Sequence, residues 1–116
     1  MTTPKYWDTV LEVARRLPEV EEGTCYGTPA LRVKGRFLAR LREDGETLVV
    51  KINIFERQYL MDADPEVFFI TDHYRDYPSV LVRLPLVQPA QLAERLEDGW
   101  RIVAPKRLVA AFDARP

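Results

Sequence analysis

A chain of 116 residues suits one domain with a modest core, so 1–116 reads as a single unit. Its 17 Lys and Arg against 18 Asp and Glu leave a net charge of −1, so bulk electrostatics neither drives nor forbids contact with nucleic acid, and any anion site must be a local patch. One cysteine excludes an internal disulfide, no window approaches the roughly 20 apolar residues of a membrane-spanning helix, and the N-terminal residues lack a secretory pattern, which together predict a cytoplasmic protein with no membrane partner.

Thr3 and Pro4 suit the cap and first position of a helix, and Trp7, Val10, Leu11, Ala14 and Leu17 then recur along one stripe until Pro18. Trp7 reads as a core anchor. Glu19 to Pro29 carries two glycines and a proline and reads as a loop, with a short extended piece near Cys25 and Tyr26. Leu31 to Ile52, LRVKGRFLARLREDGETLVVKI, then predicts three strands joined by two tight turns.

Asp44-Gly45 is the dipeptide of a type I′ hairpin, which sets Leu41 opposite Leu48, Ala39 opposite Val50 and Phe37 opposite Ile52 on an apolar face. For the first turn, a three-residue loop at Val33 to Gly35 keeps the faces segregated, whereas a two-residue loop at Lys34-Gly35 would set Val33 beside Arg36 and mix them. In the segregated register Arg32, Arg36, Arg40, Arg42 and Lys51 share the second face, with Lys34 at the loop tip.

Asn53 and Glu56 are spaced as a reciprocal cap for a helix over Ile54 to Met61, with Phe55, Tyr59 and Leu60 available for packing, ended by Pro65. Val67 to Ile70 and Val80 to Leu84 are apolar at nearly every position and read as two central strands, paired across the loop TDHYRDYPS. Pro89 opens a long helix to Ala104 through Leu92, Leu96, Trp100 and Val103, and Pro105 separates it from a last segment, Lys106 to Ala114. Gly99 in that long helix weakens it by roughly 1 kcal/mol relative to Ala. The order is α-β-β-β-α-β-β-α with a short C-terminal helix: an α+β chain, a two-layer sandwich of helices on a mainly antiparallel five-stranded sheet.

The stretches LPEVEEGTCYGTPALRVKGRFLARL at 17–41, LVVKINIFERQYLM at 48–61, HYRDYPSVLVRL at 73–84 and LEDGWRIVAPKRL at 96–108 together resemble the MmcQ/YjbR family of small bacterial proteins nearly end to end. The resemblance implies a two-layer α/β fold in the order just derived. Members are commonly described as DNA-binding because that fold is similar to a double-wing DNA-binding domain, which is an analogy of fold rather than of site. No catalytic signature comes with it, and Gly99 stands where the family leads one to expect alanine.

The basic face suits successive phosphates, so Arg32, Lys34, Arg36, Arg40, Arg42 and Lys51 are the candidate nucleic-acid contacts, with weak, salt-dependent binding, DNA being the expected partner. The same charges also read as a solvated sheet face, and Glu43, Asp44 and Glu46 beside them oppose phosphate. His73, Tyr74 and Tyr77, with Lys106, are a candidate pocket for bases or a small anion, against a plain packed loop. Cys25 and His73 form the only nucleophile and base pair of the usual kind, with nothing visible to orient the histidine. The chain is therefore read as a non-enzyme. One Cys and one His are too few for a zinc site, and no glycine-rich phosphate loop is present, so no metal or cofactor is expected. Two alternatives stand beside DNA binding. One is a protein-interaction adaptor of secretion-chaperone-like architecture, working through the sheet face or the helix carrying Trp100. The other is a small-anion or metabolite sensor.

Overall fold

The computed structural model describes residues 5–116, so the Thr3 cap and Pro4 start fall outside the described residues. Within them run α1 (Trp7–Ala14), β1 (Val20–Cys25), β2 (Thr28–Val33), β3 (Arg36–Leu41), β4 (Thr47–Lys51), α2 (Ile54–Ala63), β5 (Phe68–Phe69), a 3-10 turn (Asp72–Tyr74), β6 (Ser79–Arg83), α3 (Pro89–Val103) and α4 (Lys106–Ala114). The strands form one antiparallel sheet in the order β1-β2-β3-β4-β6-β5. This is the expected α+β architecture with six strands rather than five. The added strand is β1, which the glycines of EVEEGTCYGTP had marked as loop; it pairs with β2 through a two-residue turn in which Tyr26 (φ 53°) and Gly27 (φ 78°) are both left-handed. That is the backbone of a type I′ turn.

Two rows of side chains explain which face is covered. Leu31, Ala39, Val50 and Val80 lie side by side across β2, β3, β4 and β6, and Leu41, Leu48, Val82 and Phe68 form the next row; all are in the core. Helix α1 buries Trp7, Val10, Val13 and Ala14 on this side, and α3 buries Leu92, Leu96, Trp100 and Val103. Helix α4 lays Phe112 on Trp100 with ring centroids 4.9 Å apart, and Arg101 ties the two helices by donating twice to Asp113, at 3.2 and 2.8 Å. Trp100 is fully buried and its Nε1 donates to the Pro18 carbonyl at 2.9 Å, so it is a core anchor and presents nothing to a partner chain.

The hairpin stack departs from its expected form at both turns. Lys34 (φ 51°) and Gly35 (φ 81°) make a two-residue turn with Val33 opposite Arg36, the arrangement that should have mixed the faces. A β-bulge resolves the conflict: Arg32 pairs with Phe37 but Leu31 pairs with Ala39, so Leu38 is the extra residue on β3. Beyond it the alternation is inverted. Phe37 lies on the open face instead of opposite Ile52, and Arg36 turns to the helix side, where its Nη1 reaches the Val103 carbonyl at 3.2 Å.

The second turn keeps the expected strand register, Leu41 with Leu48 and Ala39 with Val50, but only Gly45 is left-handed (φ 72°), so it is not a type I′ turn. Asp44 organises it instead, its carboxylate accepting from the Glu46 and Thr47 N–H groups, both at 2.9 Å, and from the Thr47 hydroxyl at 2.7 Å.

Two further expectations change. β5 is a two-residue edge strand, and only β6 is central. In α2, Asn53 caps by accepting from the Phe55 N–H at 3.0 Å, but Phe55 and Tyr59 are 91% and 81% exposed, while Leu60 packs on the core and Arg57 is buried. The α2 helix therefore rests on the sheet edge by the face opposite to its aromatic residues.

Gly99 is where α3 comes nearest the sheet. A Cβ there would stand 2.8 Å from the Lys51 carbonyl oxygen and 3.0 Å from Leu38, the bulged residue. Backbone cannot retreat as a flexible side chain can. Gly99→Ala is therefore expected to destabilise the protein by about 2 kcal/mol in urea unfolding, through overpacking, although helix propensity alone predicts a gain of about 1 kcal/mol.

Burial works to raise the Asp44 pKa, but its bonds to Glu46 and Thr47 outweigh burial and hold it below the ordinary carboxylate value. A lowered folded-state pKa contributes stability above the unfolded value and loses it as pH falls through the folded one. The destabilisation caused by Asp44→Ala, measured by denaturant titration, should accordingly be full at pH 7 and shrink steadily below about pH 4.

Candidate functional site

On the sheet face away from α1 and α3, the row Arg40, Val49, Leu81 and Phe69 crosses β3, β4, β6 and β5, with Lys51 beside Ser79 at one end and Thr47 beside Arg83 at the other. Above the Lys51 end the chain from Asp72 to Pro78 folds back over the sheet, and from the other side rises the β1-β2 turn. Between them is a cavity of about 390 Å³, with Phe37, Arg40, Val49 and Lys51 as floor, His73, Tyr74 and Tyr77 as one wall, and Cys25 and Tyr26 as the other. Its size lies in the range of small-ligand sites.

The aromatic wall is one packed group. His73 meets Tyr74 edge-on at 4.8 Å between centroids and Tyr77 at 5.7 Å, and Tyr74 meets Tyr77 at 6.3 Å. Arg57 positions the loop that carries it. From α2 its guanidinium donates to four main-chain carbonyls, of Tyr74 (3.0 Å), Arg75 (2.7 Å), Tyr77 (2.7 Å) and Ser79 (3.1 Å). These carbonyls have converged on one cation, which leaves the loop little freedom to reshape while Arg57 remains.

Arg40, nine-tenths buried, is the central charge. It donates to the Thr28 hydroxyl at 3.0 Å, the Leu41 carbonyl at 3.4 Å and Glu43 at 3.3 Å, and lies 5.4 Å from the centre of the Tyr26 ring. Burial disfavours its charge, yet the Tyr74 hydroxyl and the Glu43 carboxylate more than compensate and hold its pKa above the ordinary arginine value. The site therefore keeps a permanent cation beneath its aromatic wall.

The six candidate nucleic-acid contacts do not form one continuous patch. Arg40 and Lys51 meet in the cavity, and Arg42 flanks a second hollow of about 370 Å³ together with Arg83, Phe69, Asp44 and Glu46. Arg32 donates to the Thr24 carbonyl at 3.0 Å, Lys34 pairs with Glu19 at 3.4 Å, and Arg36 is on the helix side. Of the candidate pocket, His73, Tyr74 and Tyr77 line the cavity and Lys106, at the start of α4, does not. The structure thus joins two groups that the sequence kept apart, Arg40 with Lys51 and the aromatic loop, and adds Phe37, Tyr26 and Cys25.

Sequence reasoning missed Arg57 and Tyr26. An arginine inside a helical pattern reads as exposed, and only the carbonyls gathered around it reveal otherwise. Only half of a turn signal was present there: Gly27 suits the second position of a two-residue turn, but asparagine, aspartate or glycine, not tyrosine, is the residue that marks the first.

Among the described residues, no three His, Cys, Asp or Glu side chains are grouped to hold a metal ion, and no helix is long and apolar enough to cross a membrane. The YjbR family model matches residues 15–102. The chain belongs to the YjbR family. It is 38% identical over 69 residues to the uncharacterized protein Rv2570 of Mycobacterium tuberculosis and, equally, to the uncharacterized protein Mb2600 of Mycobacterium bovis, a match covering 59% of this chain and 54% of each relative. The matched segment thus spans about half the length of these curated relatives. The crystal structure of Deinococcus radiodurans protein DR2400, a DUF419 domain, superposes with a TM-score of 0.74 over 99% of this chain and 94% of that one, at 22% identity, which is a likeness of fold.

Replacing Arg57 by methionine keeps most of its volume and strips the four carbonyls of their donor. It should cost about 3 kcal/mol in denaturant unfolding and, in hydrogen exchange, loosen the amides of 74–79 well before those of β3 and β4.

Proposed function

We propose that this chain is a non-enzymatic binding module whose sheet-face cavity holds a small organic anion. The observation that carries this reading is the meeting of Arg40 and Lys51 with the His73, Tyr74 and Tyr77 rings in one hollow that, among the described residues, no carboxylate lines, Glu43 pairing with Arg40 from outside it. Two cations, Arg40 held in place by its hydrogen bonds and Lys51 near it, favour an anion, and the rings favour one with a flat apolar body.

The backbone of Tyr26 supports the same reading. A tyrosine held at φ 53° costs of order 1 kcal/mol relative to glycine or asparagine, and its ring stays 86% exposed at the rim of the cavity. The turn requires a positive φ there, and among the described residues the ring meets the Arg40 guanidinium, 5.4 Å from its centre, so its outer face is free for a ligand. Catalysis has less support. Cys25 and His73 line the same hollow, but His73 is surrounded by tyrosine rings and donates to no carboxylate among the described residues.

DNA binding is the second reading, favoured by the way Arg42 and Arg83 continue the row of cations along the open face beyond the cavity. Asp44 and Glu46 border the same hollow and weaken it.

Thermal-shift measurements across a panel of organic acids are expected to raise the melting temperature for at least one class, and Lys51→Ala should reduce that shift. A flat panel would falsify the anion reading. Titration of labelled duplex at about 20 mM salt tests the second: binding that weakens steeply with salt and is lost in an Arg42→Ala, Arg83→Ala double variant would move the function to nucleic acid.

A further inference from the structure

Three features of the molecule have no part in holding the fold together: the exposed Phe55 and Tyr59 on α2, the thiol of Cys25, and the Nε–Nη2 edge of Arg40. Nothing in the structure shows what would cover the first, and a solitary thiol carries no site of its own. The third leads further.

All three hydrogen bonds of Arg40 leave from Nη1, towards Thr28, Leu41 and Glu43. No further hydrogen bond to the described residues leaves its Nε or Nη2, although the Tyr74 hydroxyl that supports its charge stands close to the guanidinium. No buried side-chain nitrogen or oxygen among those residues lacks a partner, so this free edge is not sealed inside protein; it opens on the cavity that Arg40 lines. The Nε–Nη2 edge of a guanidinium presents two parallel N–H groups, a spacing that matches the two coplanar oxygens of a carboxylate. The anchored Nη1 fixes the plane of that fork in advance. Around it stand Phe37, Tyr26, Tyr74 and Tyr77, whose faces and edges suit a flat ring.

We infer that the cavity is specific for an aromatic or similarly planar monocarboxylate, its carboxylate on the Nε–Nη2 edge of Arg40 and its ring between the tyrosines. The inference rests on the anion-binding reading and adds the chemistry of the ligand. Lys51 supplies the second positive charge beside the carboxylate, and Tyr26, at the rim, closes over the ring. A volume of about 390 Å³ accommodates one ring with a short substituent and excludes a polymer except at its end.

The test is calorimetric titration of the full chain with benzoate, benzamide, acetate, phenyl phosphate and inorganic phosphate. Benzoate is expected to bind at least about tenfold more tightly than acetate, which lacks the ring, and than benzamide, which lacks the charge. Arg40→Lys keeps the charge and removes the fork, so it should weaken benzoate about tenfold while changing phenyl phosphate little. Because Arg40 is buried, Tyr26→Asn serves as the second variant: asparagine suits the left-handed turn, so the protein should melt no lower than the parent while benzoate binds severalfold more weakly. Preference for phenyl phosphate, or acetate equal to benzoate, would overturn the planar carboxylate and leave the anion reading standing. Benzamide equal to benzoate, or no heat from any of the five, would overturn both.

Discussion

One inserted residue governs both layers of this protein. The bulge at Leu38 inverts the side-chain alternation of β3, so that Leu38 and Ala39 both serve the core while Phe37 passes to the other face and Arg36 to the helix side. On one side of the sheet Leu38 becomes the contact against which α3 settles at Gly99. On the other, Phe37 becomes floor to the cavity around Arg40. Without the bulge a two-residue turn at Lys34-Gly35 would set core and solvent residues on the same face along the whole strand. A bulge costs one ladder position and in return lets a tight turn and a continuous core coexist.

The open face is built differently from the covered one. Ala30, Val49 and Leu81 are as buried there as residues under the helices, although α1 and α3 lie on the far side. Their cover is made of cations lying on rings and strands: Arg40 near Tyr26, and Arg83 stacked 3.9 Å above Phe69 while donating to the Pro65 and Glu66 carbonyls. Arginine stems shield apolar surface while the charged heads remain at the edge of water. Much of the basic character of this face is therefore structural cover, and what remains beside the loop held by Arg57 is Lys51 together with the edge of Arg40 that bonds to none of the described residues.

That loop joins the site to the family likeness without borrowing a function from it. Membership of the YjbR family and the resemblance to DR2400 describe the sheet and its helices. The chemistry of the hollow depends instead on the Arg57 clamp, the three rings packed edge-on and tilted, and the left-handed Tyr26, which are local arrangements of side chains on that frame.

The amphipathic helices were legible because their apolar spacing is a local property: α3 and α4 begin at Pro89 and Lys106, where proline chemistry places them, and of the first stripe Trp7, Val10, Ala14 and Leu17 are buried and Leu11 half-buried, although α1 itself ends at Ala14. The Asp44-Gly45 register was legible for the same reason, since a turn dictates which residues face each other whatever its detailed geometry. The Tyr26-Gly27 turn was less legible, because tyrosine is not a residue that marks a left-handed turn position and the two glycines and proline around it read as loop. What the chain could not show in one dimension was the bulge, because an extra residue is a choice made between two strands under the pressure of a common core, and with it went the side of the sheet that each arginine occupies. The convergence of four carbonyls on Arg57, the pairing of a loop at 73–77 with cations at 40 and 51, and the contact that requires Gly99 all join residues distant in sequence, and only the packed structure brings them within reach of one another.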